Sequence, residues 1–182
     1  MKTLVTFLLL AICLPQVAFS SPVSVASGPF NISFDINTTK ALIYQPQYSN
    51  TRTGPGGQAI IFNGLEIKDR NAPDDAAKAQ ISINEYSNPI SNSLEYKAEQ
   101  TAKLFHLVDG SASIEYRTID SNPGYVVTGV NEAGRIEYSS GYRIGNQTEV
   151  TIVGALPELT DILNTIHIER RSEPVMNETL KV

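Results

Sequence analysis

A chain of 182 residues suits one packed domain and leaves no room for two full-sized ones. With 41% hydrophobic and 18% charged residues it is too apolar for intrinsic disorder, and its formal net charge of -5 argues against sequence-independent binding to nucleic-acid phosphates. A single cysteine excludes an internal disulfide framework, and two histidines far apart leave little for a His-built metal centre, so no cofactor is expected.

The chain opens with Lys2, an almost unbroken apolar run over residues 4–14, and Ala18-Phe19-Ser20 ahead of Ser21. A basic start, a short apolar core and a small-x-small site predict a secretory signal peptide over residues 1–20, cut before Ser21. The destination is then extracytoplasmic, secreted or at the cell envelope. The apolar run is too short and too broken for a permanent membrane helix, so no stable transmembrane segment is expected after cleavage. Ile12, not a small residue, precedes Cys13, which argues against a lipidated cysteine.

Residues 21–28 (SPVSVASG) are small and polar around a proline and read as a flexible tether. Residues 29–169 read as one domain. Phe30, Ile32, Phe34 and Ile36 alternate with polar residues as a half-buried strand, and residues 37–40 form a polar turn into a short strand over 41–44. Thr53-Gly-Pro-Gly-Gly57 invites a phosphate-loop reading, but no lysine follows and the next residues are strand-like, so a mobile loop is expected. Arg52 beside it could meet an anionic partner. Asn63-Gly64 between apolar runs predicts a tight hairpin. Asp69, Asn71, Asp74 and Asp75 crowd oxygen ligands into seven residues, as calcium requires, but Pro73 breaks EF-hand spacing, and a solvated loop is the simpler reading. Residues 79–86 alternate again.

Over residues 92–108 the apolar period becomes helical, with Asn92 and Glu95 placed as a capping box and Gly110 as the stop. Strands resume over 113–119, 125–130, 135–144 and 149–153, joined by short turns, which predicts an antiparallel meander. Pro157 opens a short helix carrying Leu159, Ile162, Leu163 and Ile166 on one face, and residues 165–168 turn extended. Residues 170–182 read as a disordered tail. The fold class is therefore α+β, an antiparallel sheet with one long helix and one short C-terminal helix packed on it.

This order of elements resembles the PsbP/Mog1-like fold group. The resemblance is carried by the opening hairpin near residues 30–44, the helix at 92–108, the meander at 113–153 and the Leu-rich close at 156–163 followed by one apolar strand. It implies an accessory or binding protein without catalysis. No diagnostic motif accompanies it, so no functional residue is carried over.

Candidate sites are sparse. No Gly-x-Ser-x-Gly elbow occurs. His106 falls in a last helical turn and His167 on a strand surface, and ordinary structural roles suffice for both. No pair of carboxylates stands out for glycosidase-type chemistry. Four sequons are glycosylation candidates: Asn37 and Asn146 in turns, Asn31 at a strand start, and Asn177 in the tail. Tyr116, Tyr125, Tyr138 and Tyr142 lie in the meander and are candidates for a recognition face. The reading is an exported, non-catalytic binding or accessory protein of the cell envelope, its partner an envelope protein or ligand of unknown identity. Two alternatives remain: a secreted carboxylate-dependent hydrolase, and a structural component that self-associates.

Overall fold

The computed structural model describes residues 20–72, 78–104, 112–130, 134 and 136–172. Strand-forming alternation dominates, and among the described residues ten strands and two helices form. Strand β1 (Ser21–Ser27), β2 (Phe30–Ile36) and β10 (His167–Arg170) make a three-stranded antiparallel sheet with β2 in the middle. A seven-stranded antiparallel sheet contains β3 (Leu42–Thr53), β4 (Ala59–Asp69), β5 (Lys78–Tyr86), β6 (Ser113–Ile119), β7 (Asn122–Val130), β8 (Ile136–Ile144) and β9 (Thr148–Gly154). Its order is β3-β4-β5-β9-β8-β7-β6. The expected meander is thus formed, and β9 closes it onto the β3–β5 group. Helix α1 (Leu94–Leu104) bridges the two halves in sequence, and α2 (Leu159–Thr165) precedes β10.

The small sheet and α2 cover one face of the large sheet. Ile32, Phe34 and Ile36 of β2 join Leu65, Ile67, Ile81, Ile83, Val150 and Ile152 of the large sheet and Leu159, Ile162 and Leu163 of α2 in one buried core. Each such side chain, fully buried, contributes about 1.5–3 kcal/mol. Helix α1 lies on the opposite face, where Ala98 packs with Tyr125 and Val127. The two layers are stitched by the β1–β2 turn. Ser27 Oγ donates to Gly64 O (2.6 Å) and accepts from Gly64 N (3.1 Å). Gly28, at φ +55°, lies so close that any Cβ there would overlap the Asn63 amide.

Several expectations are corrected. Residues 21–27 are not a tether: Val23 and Val25 alternate toward the core, and the segment pairs along the whole of β2. Residues 30–44 are not a hairpin, because β2 and β3 belong to different sheets. Asn63-Gly64 is not a turn but the middle of β4, buried under Ser27; the turn between β3 and β4 is the Gly-rich segment, where Pro55–Gly57 forms one 3-10 turn. The helix is not long. It runs eleven residues and is capped by Ser93, whose Oγ accepts from Tyr96 N (3.1 Å), while the Asn92 carbonyl accepts from Arg143. The sheet, not the helix, dominates the α+β fold. Arg170 closes β10, and Arg171 N donates to Pro29 O (2.8 Å), so order reaches into the expected tail. No described helix is long and apolar enough to cross a membrane. The predicted signal run, residues 105–111 with His106, and Asn177 lie outside the described residues.

Candidate functional site

The face of the large sheet that carries α1 is only partly covered by it. Where the helix begins, a cleft of about 500 Å³ opens. Ile60 of β4 and Tyr86 of β5 contribute from the sheet, Pro55, Gly56 and Gln58 from the β3–β4 turn, residues 88–92 from the β5–α1 loop, and Lys97 from the first turns of α1. The walls mix apolar groups (Pro89, Ile90) with amides (Gln58, Asn88, Asn92). None of these lining residues is acidic.

Beneath the cleft lies a row of charged and polar groups set by strand register. The turn at residues 145–147 places Arg143 of β8 opposite Glu149 of β9, and Asn84 of β5 stands on the other side of Glu149. Glu149 is only 5% exposed. It is matched by two partners: Tyr86 donates its hydroxyl to Glu149 Oε2 (2.9 Å), and Lys97 Nζ lies 3.3 Å from the same oxygen. Arg52 of β3 donates to Asn84 Oδ1 (2.7 Å) and sits over the Phe62 ring. Arg143 Nε is buried without a hydrogen-bond partner. Burial, and then the Glu149 carboxylate, push the Tyr86 phenol far above its ordinary value, so it remains a hydroxyl donor. Lys97 thus meets Glu149 directly, Arg143 stands opposite it in register and Arg52 is held on Asn84, while Glu95 also lies within reach of the Arg143 charge.

The residues singled out from sequence are not brought together here. Asp69 serves its own turn, its Oδ1 accepting from Asn71 N (2.9 Å), while Asp74 and Asp75 lie outside the described residues. Among the described residues no group of three or more His, Cys, Asp or Glu could hold a metal ion. The four tyrosines do not share a face: Tyr116 and Tyr125 are a cross-strand pair on the α1 side, and Tyr138 and Tyr142 alternate onto the core side. Tyr125 and Tyr142 are buried, so they cannot form part of a recognition surface. Tyr125 is held by Thr101 (3.1 Å) and Tyr142 donates to Asp120 Oδ2 (3.2 Å). Asn37 and Asn146 are exposed and Asn31 is half-buried, its amide donating to Glu169 (3.3 Å). His167 is exposed, as expected, but its Nδ1 contacts Asp120 Oδ1 at 2.8 Å.

Sequence reasoning found Arg52 and missed Tyr86, Lys97, Arg143 and Glu149. The available signal was the Gly145-Asn146 turn: once its register is fixed, Arg143 and Glu149 fall opposite one another on the polar side of two alternating strands. Comparison with protein-family models, curated proteins and solved structures returns no match.

Proposed function

We propose that this chain is an exported, non-catalytic binding module whose cleft receives a small organic anion. The observation that carries the reading is a cleft with no acidic lining residue and the cation Lys97 in its wall, with Arg143 close by, donating to the carbonyl of the lining residue Asn92, and Arg52 held on Asn84. An anion approaching Lys97 gains a charge-assisted contact, and its apolar part has Ile60, Pro89 and Ile90 to rest on. Glu149 serves here as the counter-ion that keeps Lys97 and Tyr86 in place, which speaks for binding over carboxylate chemistry. Export rests on the N-terminal pattern of residues 1–20.

The test is calorimetric titration with dicarboxylates, uronic acids and sugar phosphates, each against a neutral analogue. Binding of one anionic class, weakened about tenfold or more by Lys97→Met and by added salt, is expected. Equal binding of the neutral analogue, or indifference to Lys97→Met, overturns the anion reading. N-terminal sequencing of the protein recovered from the culture medium tests export; an intact Met1 on cytosolic material refutes it.

A further inference from the structure

The large sheet has two edges, and they are unlike. On β3 the edge carries Pro46, which has no N–H to offer, and a register break between Gln47 and Asn50. Proline and bulges are the ordinary means of blocking an edge against pairing. On β6 there is neither. Its seven residues, Ser-Ile-Glu-Tyr-Arg-Thr-Ile, pair without a break to β7 on one side, and no described strand pairs on the other. The first four are exposed, including Ile114 and, at 53%, Tyr116.

We propose that β6 pairs antiparallel with β6 of a second copy, about a two-fold axis through Tyr116. The sequence is self-complementary in that register. Glu115 falls opposite Arg117 of the second copy, and Arg117 opposite its Glu115. Ile114 meets Thr118, Tyr116 meets its own counterpart, and Ser113 meets Ile119, so all seven residues find partners. Because a strand's side chains alternate, a two-fold pairing that keeps the faces matched moves by whole residues of the axis. An axis at Glu115 sets two glutamates face to face, and one at Arg117 sets two arginines face to face. Like charges directly opposite disfavour both. Tyr116 and Ile114 point to the side that carries α1, so the pairing also shelters two of the chain's exposed apolar side chains.

Sedimentation of the purified protein over a concentration series is the test. A reversible dimer, weakened by salt, is expected. Glu115→Arg alone and Arg117→Glu alone each set like charges opposite one another and raise the dissociation constant about tenfold or more. Mixed together, the two variants complement each other and recover a heterodimer. Arg117 also donates to Asn164, so a second measurement avoids touching it. Tyr116→Cys, at an exposed position, forms an intermolecular disulfide under mild oxidation faster than Ser113→Cys or Thr118→Cys, because only residue 116 faces itself. A monomer at every soluble concentration overturns the proposal and leaves the edge to another protein or to none. A dimer untouched by the charge variants, or cysteine trapping that shows no preference for residue 116, overturns the pairing.

Discussion

Asp120 holds three elements with one carboxylate. It sits in the tight β6–β7 turn at φ +48°, followed by Ser121 at φ +60°, backbone positions that Asp and Asn tolerate better than most residues. Its oxygens accept from Tyr142 (3.2 Å) and from Ile168 N (3.0 Å), and Oδ1 lies 2.8 Å from His167 Nδ1. Replacing it with alanine leaves buried donors unmet, at about 1–3 kcal/mol for each; chemical denaturation should place Asp120→Ala well below Asp120→Asn, which keeps the turn. His167 adds a pH dependence. The hydrogen bond to Asp120 raises its pKa above the usual 6.5, against slight burial and helped by the charges of Asp120 and Glu169. A raised folded value means that the protonated ring stabilises the fold. That contribution is complete below 6.5 and fades as pH climbs through the folded value. Urea midpoints taken on either side of that window should fall with rising pH, and His167→Asn should flatten the fall. The ring is largely exposed, so the effect is modest.

At the scale of elements, the β1–β2 turn against β4 is the joint most sensitive to volume. Gly28→Ala forces a methyl group into the Asn63 amide and should cost about 1–3 kcal/mol beyond its backbone strain. Gly56→Ala, at φ +73° with open space around it, is the control for strain alone, about 1–2 kcal/mol. Equal losses in the two variants would show that the close approach carries no weight. In the core, Ile83→Ala removes a fully buried side chain at the centre of the large sheet and should cost about 2–5 kcal/mol. The same joint explains why the sequence misled at Asn63-Gly64. The pair has the chemistry of a tight turn, but Ile61, Asn63, Leu65 and Ile67 continue one alternation through it, and Gly64 is small because the Ile81 carbonyl and the Phe62 ring crowd it. The signal that marks the turn is Gly54-Pro-Gly-Gly57, which joins β3 to β4.

For the whole molecule, local patterns were legible and partners were not. The meander from β6 to β9 followed from alternation and short turns, because each strand meets the next one along the chain. The small sheet did not. β10 pairs with β2 across most of the chain, His167 with Ser33, and no local signal announces such a pairing. The cleft shares that difficulty: Tyr86, Lys97 and Glu149 meet only after β5 has paired with β9. Such distant contacts place folding in the slow range for single domains, milliseconds to seconds. They also couple the chain's ends. Truncation before His167 removes one neighbour of β2, and hydrogen exchange should then report lost protection throughout β1 and β2 rather than at the cut alone.

The unlike borders of the large sheet also set a limit on growth. A strand that welcomes its own copy on a protein whose far border did the same would seed an endless ribbon. Here Pro46 and the irregularity beside it refuse the next molecule. Once two copies have joined, the association has nowhere further to propagate, and it ends as a discrete pair instead of a fibre.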